Sequence, residues 1–398
     1  MSRQPRTTDY LRSAVSELWP QPATSTISRE VSRRRRNPGA SWIVLPSLAR
    51  PRLLLPEGVP AAAAMLRRYD ATRREAGLRK MLEIAFSHGV LTRLPVPRLH
   101  VEGDAGVAAH LERVLGQQVR IGIILGTERA NRKPVLQVFD AEGGTLAFVK
   151  VAGTPGTTDL LAAEAVALDR VAAASPSSFV APRVLDHSRW GELSLLVLSP
   201  LPASQLGVRS SDPETAAMAE LAQLSGLSSL SSADLTDRQL RRLRDLPTGP
   251  LTDRVATCAR ALHAMTAEPV PTGTWHGDWA PWNMARSNGR LQVWDWERST
   301  TAPVGFDALH HASQLAWQAR GSVTDALRSL EGAVDAVFDA LHLTRRPGCL
   351  RALYLLEICL RYLADQPDGT EHHARPRTRW VLAQLEEETR QVTTRGRP

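Results

Sequence analysis

HGDWAPWN, residues 276–283, and MARSNGRLQVWDW, residues 284–296, together decide how this chain folds. Asn288-Gly289 marks a tight hairpin turn, because both central positions of such a turn take positive φ and these two residue types tolerate it. The flanks are then two short antiparallel strands. Their return brings Asp295, at the end of the second strand, close to Asn283, just before the first. Asp278 and Asn283 sit in a loop rich in Trp and Pro that can turn both side chains into one cleft.

Two carboxylates and an amide gathered in this way suit phosphoryl transfer. One carboxylate is free to face an attacking hydroxyl, while the other and the amide oxygen can hold magnesium against a triphosphate. A second constellation lies upstream. QVRIGIIL, PVLQVFD and TLAFVKVA are strand-like, with the turn signal AEGG between the last two. A helix is expected over 158–174 and a further strand over 192–198. In that helix Leu161, Glu164, Leu168 and Val171 fall on one face, so a carboxylate interrupts an apolar stripe. An unpaired charge buried there is costly. Lys150, flanked by apolar residues in FVKVA, is the natural partner; a glutamate at the rim of the stripe reaching solvent is the alternative.

HGD, four residues and Asn, then an apolar strand ending in the Asp of VWDWE, resembles the signature of aminoglycoside phosphotransferase and choline kinase-like enzymes, relatives of the protein kinases. In motif order the resemblance covers roughly residues 117 to 320. It implies an α+β fold of two lobes, protein-kinase-like, with a small antiparallel sheet N-lobe, a larger helical C-lobe and, here, an N-terminal extension. It also implies ATP and Mg2+ as cofactors. Asp278 then matches the catalytic aspartate, and Asn283 and Asp295 match the metal ligands. His276 matches a histidine that holds the loop in shape, and Lys150 with Glu164 matches the ATP-binding strand-to-helix pair. Asp307 matches an aspartate that braces the loop, although plain helix capping accounts for it equally well. The backbone of Leu198 to Leu201 would meet adenine. GTERANRKP departs from the protein-kinase pattern, since Gly126 stands alone where GxGxxG would be. Its Thr127, Asn131, Arg132 and Lys133 read first as solvated turn residues.

Trp275, Trp279, Trp282, Trp294 and Trp296 cluster around the motif. Alternation turns Trp294 and Trp296 away from any cleft that Asp295 faces. Trp279 and Trp282 are balanced between core packing and a substrate platform. His310 and His311 lack metal-ligand spacing and read as structural.

The rest of the chain sets bounds. At 398 residues it exceeds one ordinary domain. The reading divides it into 1–40, a flexible basic tail in which Leu11, Val15, Leu18 and Trp19 could form a short amphipathic turn; 41–116, a hairpin (SWIVLP, PRLLLP) and helical extension; 117–200, the nucleotide-binding sheet lobe; and 201–398, the helical catalytic and substrate lobe. The net charge of +8 is almost all arginine, because only three residues are lysine. The run Arg33 to Arg36 has no aromatic interleaving or folded module beside it, which argues against nucleic acid as a partner. No apolar run long enough for a membrane span and no secretory signal are present. Three scattered cysteines speak against disulfides or zinc and for a reducing cytoplasm.

The expected function is therefore ATP-dependent transfer of the γ-phosphate to a hydroxyl of a small molecule: a sugar, aminoglycoside, amino alcohol or similar. The expected partners are that acceptor and the nucleotide; oligomeric state and acceptor identity stay open. A catalytically silent kinase-like binding or regulatory protein is the alternative. The presence of all five key positions speaks against it. HGD in place of HRD, and the lack of an activation segment before Asp307, disfavour a protein substrate.

Overall fold

Alternating apolar residues in the first half of the chain build one antiparallel sheet, and helical stripes dominate the second half. The structure, a computed structural model, describes residues 7–28, 39–57, 59–68, 96–103, 106–125, 133–202, 214–265, 267–319, 331–365 and 375–395. The chain divides into two units, Met1–Asp169 with Ala181–Val208, and Arg170–Val180 with Arg209–Pro398. The fold is mixed α+β, as the sequence implies.

The first unit contains α1 (Thr7–Leu18), β1 (Thr24–Ser28), β2 (Gly39–Ser47), β3 (Arg50–Pro56), α2 (Val59–Arg68), β4 (Arg98–Glu102), α3 (Val107–Leu115), β5 (Arg120–Ile124), β6 (Val135–Phe139), β7 (Thr145–Ala152), most of α4 (Pro155–Ala174), β8 (Val184–Trp190) and β9 (Leu193–Leu198). Its nine strands pair in the order β1-β4-β2-β3-β5-β6-β7-β9-β8, every pair antiparallel.

This sheet is larger than the sequence reading expects. The segment before residue 117 supplies four of the nine strands, one of them (β1) from the expected tail, joined where Leu53 and Leu54 of β3 pair with Ile124 and Ile123 of β5. The reason is physical: β5 unpaired would present an open row of backbone donors and acceptors, and the leucine-rich β3 covers it. Trp42 locks the join by donating from Nε1 to the Ile121 carbonyl at 2.6 Å.

The head also departs from the expected flexible tail over 1–40. Leu11, Val15, Leu18 and Trp19 do lie on one helical face, but that face is buried in a core shared with Trp42, Val138 and Val149. An isolated helix of this length is marginal in water. Burying each such side chain is worth about 1.5–3 kcal/mol, so packing on the sheet holds α1. The arginine run at 33–36, most of the helix expected over 61–88 and the turn residues Thr127, Asn131 and Arg132 lie outside the described residues.

The second unit contains α5 (Thr215–Gln223), β10 (Ser228–Ser231), α6 (Ser232–Arg244), α7 (Pro250–His263), β11 (Pro269–Trp275), β12 (Met284–Ser287), β13 (Arg290–Val293), β14 (Thr300–Pro303), α8 (Phe306–Ala319), α9 (Glu331–Ala340), α10 (Leu350–Ala364) and α11 (Pro376–Arg395). β11 is the middle strand between β10 and β14. The hairpin β12–β13 turns at Asn288 (φ 50°) and Gly289 (φ 78°), the two positive values that its sequence calls for. The short strand Phe179–Val180 lies parallel to β13. Helix α10 is apolar around most of its girth and buried accordingly, with Leu353, Tyr354, Leu356, Ile358 and Leu360 all at 1% exposure or less. The three cysteines are free and buried. Among the described residues, no helix is long and apolar enough to cross a membrane.

Candidate active site

Strand β11 ends at Trp275 and releases the chain into His276-Gly277-Asp278. Gly277 has φ +86°, and a Cβ there would lie 2.3 Å from the Arg298 carbonyl oxygen, so glycine alone fits this turn. Both peptide groups around it are braced by side chains from helices. The Asp307 carboxylate, in the first turn of α8, accepts from the His276 N–H at 3.1 Å. Arg361 of α10 donates to the Gly277 carbonyl at 2.7 Å and lays its guanidinium on the Trp275 ring, 4.1 Å from the centroid.

Two buried titratable groups flank the turn. Burial pushes the Asp307 carboxyl up to about 7, against the backbone N–H bonds and the Arg361 charge that favour its ionised form. Burial pulls His276 down to about 4, so its ring is neutral at ordinary pH. The His276 Nδ1 accepts from the Asp278 N–H at 3.2 Å. Its ring is packed edge-on against Trp296 at 4.6 Å and Trp279 at 5.8 Å between centroids. His276 thus shapes the loop from inside.

Asp278 keeps its side chain 32% exposed, the one carboxylate of this turn that reaches solvent appreciably. Its Oδ1 lies 3.0 Å from His310 Nε2 and its Oδ2 accepts from Asn283 Nδ2 at 2.8 Å. Burial alone would raise its pKa, but these two bonds and the nearby imidazoles outweigh that and hold the carboxyl well below the usual range. Asn283 also donates to the Asp278 backbone carbonyl at 3.0 Å. With the amide nitrogen committed to Asp278, the amide oxygen is the atom left for another ligand. The Trp294 N–H bonds the Asn283 carbonyl at 3.0 Å, closing the hairpin and bringing Asp295 beside Asn283. Asp295 has φ +70°, a conformation that costs a non-glycine residue energy and concentrates at functional sites.

In the first unit, Lys150 of β7 lies 2.8 Å from Glu164 Oε1 and 2.6 Å from Oε2. The Glu164 side chain is 1% exposed. The carboxylate that breaks the apolar stripe of α4 therefore has the predicted cation and does not reach solvent at the rim. Asp278, Asn283, Asp295, His276 and Asp307 are brought together in the second unit.

The tryptophans divide. Trp279, for which the sequence leaves a substrate platform open, is fully buried and packs edge-on to Phe179; it is core. Trp282 is partly exposed. Trp296 is buried against Phe179, as alternation predicts.

The sequence reading assigns His310 to structure alone, yet it touches Asp278. Its other nitrogen, Nδ1, lies 3.1 Å from the buried Tyr354 hydroxyl. A carboxylate only accepts, so Nε2 carries the proton toward Asp278 and Nδ1 accepts from Tyr354; burial lowers the pKa and keeps the ring neutral. The Gln314 amide nitrogen lies 2.7 Å from the same Nε2, a contact between two donors and not a hydrogen bond in this tautomer, and Arg377 donates to the Gln314 oxygen. The signal was available: Asp307, His310 and Gln314 share one face of a helix otherwise rich in buried apolar residues, the same anomaly that exposes Glu164. Arg361 gives no comparable signal.

The family model described as "Phosphotransferase enzyme family" matches residues 135–342, just over half of the chain. A search of curated proteins gives no match. Among solved structures, the chain is similar to a choline/ethanolamine kinase family protein from Mesorhizobium loti: 16% identity, 70% of this chain and 94% of that one covered, TM-score 0.44. It is similar also to aminoglycoside phosphotransferase APH(4)-Ia: 13% identity, 73% and 99% covered, TM-score 0.47.

Proposed function

The chain belongs to the phosphotransferase enzyme family, and on that premise we propose that it moves the γ-phosphate of ATP to a hydroxyl of a small molecule. One observation carries the reading. Asp278 is a partly exposed carboxylate kept ionised and fixed by one bond to each oxygen, from His310 and Asn283. An oriented anion of this kind is what an attacking hydroxyl needs.

As the acceptor oxygen bonds the γ-phosphorus, its proton passes to Asp278. The bond between the γ-phosphorus and the β–γ bridging oxygen breaks, ADP leaves with that electron pair, and Asp278 returns the proton to solvent. Lys150, fixed by Glu164, is suited to pair with the α and β phosphates. His276, Asp307, Gly277 and Arg361 keep the loop backbone in place. Positioning and charge neutralisation supply the rate enhancement. The site's donor set fits magnesium: the Asn283 amide oxygen and the Asp295 carboxylate are hard oxygen ligands joined by a closed hairpin. Asn283 and Asp295 would hold such an ion, and when bound it would neutralise charge on the phosphates.

The purified protein, supplied with ATP, Mg2+ and a panel of hydroxylated metabolites, should form ADP only when an acceptor is present. Asp278→Asn should lower kcat by about 10²-fold or more with ATP affinity within a few-fold. ADP formation unchanged in that variant rejects the assignment, and so does a complete absence of transfer across the panel.

A further inference from the structure

Arg377 stands in the first turn of α11 with its guanidinium carbon 5.7 Å from the Trp317 ring centroid and 5.5 Å from that of Tyr362. It donates to the Gln314 oxygen, but its Nε is buried without a hydrogen-bond partner. No carboxylate among the described residues pairs with it. Other arginines of the second unit are paired. Arg254 has Glu386, Arg286 has Glu214, Arg351 has Glu388, and Arg361 has Glu357. Among the described residues, then, this half-buried guanidinium is held between aromatic faces without the carboxylate that normally offsets desolvation.

Its place matters as much as its charge. Arg377 is linked to Asp278 through Gln314 and His310, each step a contact between adjacent side chains. Only the Gln314 and His310 side chains stand between Arg377 and Asp278, the span that an acceptor with its anion at one end and its hydroxyl at the other would bridge. Trp317 and Trp380, partly exposed and edge-on at 5.6 Å, offer an apolar wall beside the guanidinium. Two acidic groups of the second unit already have cations, Glu357 with Arg361 and Asp365 with Arg298.

We infer that the phosphate acceptor carries an oxyanion, a carboxylate or a phosphate, which Arg377 holds while the acceptor's hydroxyl meets Asp278. This rests on the proposed phosphotransferase reading and narrows it away from polycationic acceptors. Guanidinium suits both oxyanions because its paired N–H groups match two oxygens at once.

The test uses the full chain, titrated calorimetrically with gluconate, glucose 6-phosphate, glucose and kanamycin, together with Arg377→Gln and Arg377→Lys. Gluconate or glucose 6-phosphate should bind at least tenfold tighter than glucose or kanamycin. Which of the two binds tighter names the oxyanion. Arg377→Gln should erase that preference, and Arg377→Lys, which keeps the charge but not the fork, should keep part of it. Equal or tighter binding of glucose or kanamycin overturns the inference, as does failure of both anions to bind or a preference that survives Arg377→Gln. Phosphate transfer separates the two claims. An anion preference that depends on Arg377, with no transfer to any acceptor, removes the enzymatic reading and leaves an anion site. Transfer to glucose or kanamycin that Arg377→Gln leaves unchanged removes the subsite and leaves the enzyme.

Discussion

His310 Nε2 lies 3.0 Å from Asp278 Oδ1, and the Tyr354 hydroxyl lies 3.1 Å from the opposite nitrogen of the same ring. The imidazole thus has one tautomer available to it and fixes one oxygen of the carboxylate, leaving Asn283 to fix the other. Replacing His310 with Ala should lower kcat by about 10–100-fold while the KM for ATP stays within threefold, because orientation is lost and nucleotide contacts are not. His310→Gln, which keeps a donor, should recover part of the loss, and Tyr354→Phe should cost less than either. Steady-state kinetics with ATP and acceptor varied separately would check this. A parallel rise in both KM values would point to general loosening.

Asp307 and His276 pull stability in opposite directions with pH. The folded protein keeps a proton on Asp307 up to about 7, where the unfolded chain releases it near 3.8. That contribution is complete below 3.8 and is lost as pH rises toward 7. His276 in the folded protein refuses a proton until about 4, where the unfolded chain accepts one near 6.5, so its contribution grows as pH rises from 4 to 6.5. The two slopes, about 1.4 kcal/mol per pH unit for a full proton, oppose each other across that window. Relative to the native protein, Asp307→Asn should make stability rise more steeply from pH 4.5 to 6.5, and His276→Gln should make it fall. Urea midpoints at pH 4.5, 5.5 and 6.5 give the slopes directly.

Glu164 is buried against Lys150, and removing one partner of such a pair leaves the other uncompensated, at about 3–5 kcal/mol where burial is complete. Lys150 retains 15% exposure, so Glu164→Gln should cost at the lower end of that range or below it. The same change should raise the KM for ATP about tenfold by freeing the ammonium, with the KM for acceptor little altered. Urea denaturation and ATP titration would separate the stability loss from the functional one.

Deleting residues 1–28 should destabilise the first unit by several kcal/mol. The cut removes Leu11, Val15, Leu18 and Trp19 from the core around Trp42, each worth about 1.5–3 kcal/mol, and strips β1 from β4. A lower Tm and increased binding of a hydrophobic dye are the expected readouts. A flexible tail would give neither change.

Local chemistry was legible in the sequence wherever one residue type was out of keeping with its surroundings. Asn288-Gly289 fixed the turn because few residues accept two positive φ values in succession, and the turn brought Asp295 to Asn283. Glu164 announced Lys150 because an apolar stripe tolerates a charge only with a partner. Tertiary structure decided what depends on distant segments. The pairing of β3 with β5, which makes the extension part of the sheet, reflects two strand edges that satisfy each other and has no local signature. The burial of Trp279 depends on Phe179, a hundred residues upstream. The pairing of Arg361 with Gly277, and the lack of a carboxylate beside Arg377 among the described residues, follow from how α10 and α11 pack. An arginine in sequence is only a charge on a long stem; its neighbours in space make it a brace at Arg361 and set it between aromatic rings at Arg377.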